Sequence, residues 1–178
     1  MICTTLNKIR DCSPCKSGWN KLLKHLNKTK SDDALLPFDV ILESNGLDDA
    51  LWCTRSSPEH DLEWRLFAVL CARRVAHLNA DTRVEAAIQA AEDYINGAID
   101  TEQMNKALDD AAAARHAALA AAEWVVSSNA SMSASGAAAW SALASEWASP
   151  WKDAEEEQKE IFIRIVNGDI SALLSPTQ

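Results

Sequence analysis

An all-α fold, a compact multi-helix bundle of about eight helices with little or no strand, is predicted by three features of this 178-residue sequence. From Ala107 to Ala148, 18 of 42 residues are Ala, which loses least on entering a helix. Gly and Pro number five each, too few turn-formers for a many-stranded sheet, and strand-favouring β-branched residues are sparse. The run Leu66 to Ala72 is apolar nearly all round, a pattern that fits a helix surrounded by others. A central helix over about 58–78 follows.

Thr4 or Thr5 caps a short helix ending near Asp11, and Ser17 caps a second running to about Asn27. In the second, Trp19, Leu22, Leu23 and Leu26 share one face and Lys21, Lys24 and Lys28 the other. After a polar loop, Lys28 to Asp33, Pro37 opens a helix carrying Phe38, Ile41 and Leu42, stopped by Asn45-Gly46. A short helix, Leu47 to Cys53, has Asp48 and Asp49 in its first turn, where the helix dipole favours them. Ser56-Ser57-Pro58-Glu59 has the residues of a capping box, with Ser56 as cap, and starts the central helix.

Asp81 or Thr82 opens the next helix, with Val84, Ala87, Ile88, Ala91 and Ile95 inward, and Asp100 caps a long one from Thr101 to about Ser127. A serine-rich break, Ser127 to Ser135, precedes a helix with Trp140, Leu143 and Trp147 on one stripe. Ser149-Pro150 begins the last long helix, which buries Trp151, Ala154, Ile161, Phe162 and Ile165 and exposes Asp153 to Glu157. Asn96-Gly97 and Asn167-Gly168 both read as helix ends with a left-handed Gly. Ile170 to Leu173 folds back after the second.

With 48% hydrophobic residues the chain is long enough to bury one core, and a single domain over 1–178 is expected. Short helices and a basic N-terminus fill 1–55, and longer helices fill 56–178, Ala/Trp-rich from 107. Five cysteines, an odd number confined to the first 71 residues without a signal peptide, suit a reducing cytoplasm. The longest apolar run is far short of the ~20 residues that span a bilayer, so no membrane association is expected. The net charge of −9 is segregated: residues 1–30 hold seven Lys/Arg against Asp11 alone, leaving ten basic and 25 acidic residues beyond.

Candidate chemistry is sparse. Cys12-Ser13-Pro14-Cys15 has the spacing of half a zinc site or of a redox pair, but no second such pair exists. Glu43, Asp48, Asp49, His60, Asp61, Glu63 and Arg65 contain the makings of an acid and a base, at spacings that helix caps and an i,i+4 pair also require. Without a nucleophile–base pair, a Gly-rich phosphate loop or a paired-histidine helix, the reading is non-enzymatic, with no cofactor and no metal. Lys16, Lys21, Lys24 and Lys28 with Trp19 offer an alternative nucleic-acid-binding face, against which the pI near 4.9 argues.

The segment Ile41-Leu42-Glu43-Ser44-Asn45-Gly46-Leu47-Asp48-Asp49-Ala50-Leu51-Trp52-Cys53, with His60-Asp61 and Arg65-Leu66-Phe67-Ala68 through Cys71-Ala72-Arg73, resembles small phage- and prophage-encoded helical proteins. Some of these carry an immunity-protein label. The likeness extends to Cys15, Gly18-Trp19 and Lys21-Leu22-Leu23, while the C-terminal tract here is richer in Ser and poorer in Arg. The resemblance implies an all-α fold in a bacterial host cytoplasm and protein binding as the working mode. The expected function is therefore inhibition or neutralisation of a bacterial protein or complex, such as a nuclease or a CRISPR-type effector, by a monomer or homodimer. Partner-binding candidates are Asp48, Asp49, Trp52, Arg55, His60 and Asp61, and the acidic face of Asp153, Glu155, Glu156 and Glu157.

Overall fold

The computed structural model describes residues 1–76, 82–112 and 151–169. The Ala-rich continuation beyond 112, the serine-rich break, the stripe of Trp140, Leu143 and Trp147, and the Ile170 to Leu173 segment lie outside the described residues. Among the described residues the fold is all-α apart from one small antiparallel ladder. Its strands are β1 (Cys3–Thr5) and β2 (Leu35–Pro37), and its helices are α1 (Leu6–Asp11), α2 (Lys16–His25), α3 (Phe38–Asn45), α4 (Leu47–Cys53), α5 (Asp61–Ala76), α6 (Thr82–Ile95), α7 (Thr101–Ala112) and α8 (Trp151–Asn167). Two 3₁₀ turns, Thr54–Ser56 and Pro58–His60, lead into α5.

The described residues fall into two compact units, Met1–His60 with the chain from Phe162 onward, and Asp61–Ile161. In the first, β1 and β2 pair in the register Cys3↔Pro37, Thr4↔Leu36, Thr5↔Leu35. Thr5 then caps α1, its hydroxyl accepting from Lys8 N–H at 3.1 Å. The end of α8 anchors here: Ile2 N–H donates to Val166 O at 2.6 Å, and the Phe162 ring meets Phe38 edge-on with centroids 6.3 Å apart. Both rings are fully buried, alongside Ile9, Ile41 and Leu51.

Two helix starts differ from the sequence reading. Cys15, not Ser17, caps α2: its extended backbone sets the sulfur over the Gly18 N–H at 3.3 Å, placing Ser17 inside the first turn. Ser56 does not cap the long helix. Its hydroxyl is buried, donates to Cys53 O at 2.6 Å and shares a 2.7 Å hydrogen bond with Thr4 Oγ1. With that hydroxyl committed, Pro58 begins a 3₁₀ turn and α5 starts at Asp61.

In the second unit, α5 carries six consecutive buried residues, Trp64 to Val69, as its apolar run requires. Arg65 is among them. Its guanidinium reaches back to Asp61 at 2.7 Å and lies 5.3 Å from the centre of the Tyr94 ring, so the i,i+4 pair expected from the sequence has one buried member. Arg73 grips Glu92 of α6 through two nitrogens at 2.7 and 2.8 Å, and also pairs with Glu85. Gly97 has φ +70°, as its stop role demands. Asp100 and Gln103 form a reciprocal capping box at 2.9 and 3.0 Å.

Ala87, Ile88 and Ala91 are buried as expected, whereas Ile95 is half-buried. On α8, Ile161, Phe162 and Ile165 are buried, and Gly168 at φ +82° ends the helix. Truncating Phe162→Ala leaves a cavity against Phe38, and we expect a loss of about 3–5 kcal/mol in urea unfolding. A loss under about 1 kcal/mol would show that the C-terminal end of α8 does not anchor the first unit.

Candidate functional site

Helices α2 and α4 enclose a groove of ≈110 Å³ in the first unit. Trp19 of α2 and Trp52 of α4, both half-buried, border it, and the buried Ile9, Leu22 and Cys53 line it as well. Pro14, Cys15, Gly18, Asn45 and Asp49 complete the lining. The volume falls well short of the roughly 300–1,000 Å³ of small-molecule pockets, and suits one inserted side chain.

Local sequence builds this shape. Asn45 ends α3, and its side-chain amide donates to Gly18 O at 2.9 Å and to Asp49 Oδ2 at 2.7 Å, tying α2, α3 and α4 together. The fit at Gly18 leaves no room for a side chain: a Cβ there would stand 2.8 Å from Asp49 Oδ2 and 3.2 Å from Cys15 Sγ. Gly46, between α3 and α4, adopts φ +93°, a conformation that favours glycine. Arg55 lies over the Trp52 ring, 4.4 Å from its centre, and its Nε donates to Trp52 O at 2.9 Å.

Among the residues expected from sequence to bind a partner, Asp49 and Trp52 meet at the groove, Arg55 stacks beside it, and Asp48 is exposed in the first turn of α4. His60, half-buried, ends the second 3₁₀ turn. Asp61 belongs to the second unit and engages Arg65. Glu155 and Glu156 both pair with Lys159, at 2.9 and 3.1 Å, and Glu157 pairs with Arg74 at 2.7 Å; the Asp153 side chain lies outside the described residues. That acidic stretch is therefore partly neutralised within its own unit.

Of the lysines, Lys16, Lys21 and Lys24 are exposed, Lys21 Nζ donating to Asn45 O at 3.4 Å, while Lys28 pairs with Asp32 at 2.7 Å. Among the described residues, no group of three or more His, Cys, Asp or Glu side chains is arranged to hold a metal ion, and no helix is long and apolar enough to cross a membrane. No protein-family model matches the chain, and neither curated proteins nor solved structures yield a match.

Gly18, Cys15 and Asn45 were not among the expected site residues. The sequence signal for Gly18 is its place three residues into a helix, where Gly costs roughly 1 kcal/mol relative to Ala unless close approach requires it. Asn45 was legible only as a helix stop, because a side-chain bridge to a helix 27 residues away leaves no local trace.

The two thiols that line the groove, Cys15 and Cys53, and the neighbouring Cys12 differ in chemistry. Cys15 is exposed, and hydrogen bonds from Ser17 Oγ and Gly18 N–H lower its pKa by stabilising the thiolate. Burial raises that of Cys12. Burial also pushes Cys53 up to about 12, with the Asp49 carboxylate adding to the effect. Iodoacetamide on the native protein near neutral pH should label Cys15 first and leave Cys53 and the buried Cys71 unlabelled until unfolding, as read by peptide mass spectrometry. Equal labelling of Cys15 and Cys53 would contradict this placement.

Proposed function

We propose that the chain is a non-enzymatic binding protein that inhibits or neutralises a bacterial protein by occluding its working surface, with the α2–α4 face as the contact. The reading is supported above all by Trp19 and Trp52 lining one small groove, with Arg55 stacked on the Trp52 ring beside it. Trp and Arg are the residue types that most often dominate interface energies, and they do so when seated beside pockets of this scale. The phage or prophage setting, with a defence nuclease or a CRISPR-type complex as the target, comes from the sequence resemblance. Exposed Asp48 and half-buried Asp49 give the face a negative element that favours a partner with basic groups.

The nucleic-acid alternative retains Lys16, Lys21 and Lys24, since Lys28 is engaged by Asp32. A few lysines of this kind give weak, salt-sensitive, sequence-independent attachment.

Affinity capture from bacterial lysate with the full chain, compared with its Trp52→Ala and Arg55→Ala variants, tests the proposal. A specific protein should be retained, with affinity falling by at least about tenfold in Trp52→Ala and weakening as salt rises. Retention of nothing above the tag control, or of the same protein unaffected by both changes, would remove it. A shift of duplex or single-stranded DNA at low salt would favour the alternative.

A further inference from the structure

The groove carries more information than its aromatic walls. Asp49 is half-buried beside it, and its described polar partner is the Asn45 amide, which occupies Oδ2 and leaves Oδ1 unpaired among the described residues. No ion pair to Asp49 occurs among the described residues. Trp52 borders the groove whereas Arg55, stacked on the indole at 4.4 Å, does not. Arg55 is thus held on the indole outside the groove lining, and Trp52 keeps part of its own surface on the groove.

We infer that the groove is a receptor for one lysine side chain of the partner protein, its methylene stem between Trp19 and Trp52 and its ammonium on Asp49. This deepens, and rests on, the protein-binding reading. The stem of lysine is apolar and its head is a compact charge, matching an apolar slot of ≈110 Å³ with one carboxylate at its edge. Arginine fits less well, because its planar guanidinium is broader than a compact ammonium and one of the two acceptor sites of Oδ2 is already taken by Asn45. The nearby Lys21 is drawn to the Asn45 carbonyl at 3.4 Å instead of to Asp49. The indole walls pack on the stem while the carboxylate holds the ammonium, so the two contacts reinforce each other.

The test needs no partner, so its failure is separable from failure of the capture experiment. The isotope-labelled full chain is titrated with N-acetyl-lysine methylamide, and the indole N–H resonances of Trp19 and Trp52, assigned through Trp19→Phe and Trp52→Phe, are followed by NMR. The norleucine, arginine and glutamate analogues serve as controls. Both indole signals should move saturably with the lysine compound, with an affinity on the order of millimolar. The arginine compound should bind more weakly, and the norleucine and glutamate compounds should not saturate. Asp49→Asn should weaken lysine binding by about fivefold.

The wild-type comparison of lysine with norleucine stands even if that variant folds poorly. Equal shifts from norleucine would leave an apolar slot without charge selection and overturn the inference. Tighter binding of the glutamate compound, or no shift with any of them, would overturn it as well.

Discussion

One side-chain amide organises the face on which the functional proposal rests. Asn45 accepts from Ser44 Oγ through Oδ1 and uses the two hydrogens of Nδ2 on Gly18 O and Asp49 Oδ2. That accounts for three of the four hydrogen bonds the group can make, and it fixes the end of α3 against both α2 and α4. The groove exists because those helices approach closely at Gly18, where a Cβ would collide with the Asp49 carboxylate. Moving Asp49 aside would cost its bond to Asn45, so backbone approach, side-chain bridge and groove shape stand or fall together.

Charge is arranged more locally than its distribution along the sequence suggests. The basic N-terminal segment meets acids from beyond it: Lys8 pairs with the distant Glu59 at 2.9 Å, and Lys28 with Asp32, four residues on, at 2.7 Å. The acidic run of α8 is met by Lys159 and Arg74. Such exposed pairs contribute little to stability, but they reduce the long-range field that a segregated sequence implies. Asp49 is different because its described partner is a neutral amide. Recognition built on it depends on short-range contact at the groove.

The helical fold was legible where periodicity and caps are local properties. Thr5, Asn45-Gly46, Asn96-Gly97, Asp100 and Asn167-Gly168 each mark the helix boundary that their chemistry requires, and the apolar run of α5 is buried except at the half-buried Leu70. The small ladder between Cys3–Thr5 and Leu35–Pro37 was not visible, since three-residue strands show no alternation long enough to read. Ser56 misled for a related reason: a good capping sequence competes with a long-range hydroxyl partner, here Thr4, that only folding supplies. At the site, Asp49, Trp52 and Arg55 were legible as residue types suited to binding. Their union with Trp19 was not, because it depends on the 27-residue reach of Asn45 to Gly18.

The close approach at Gly18 is most directly tested by Gly18→Ala in urea unfolding of the full chain. In an ordinary helix position this substitution stabilises by about 1 kcal/mol. Here the added methyl meets Asp49 and Cys15, and we predict no gain and a loss of up to about 3 kcal/mol. A stabilisation of about 1 kcal/mol, as at an open helical site, would contradict the packing on which the groove depends.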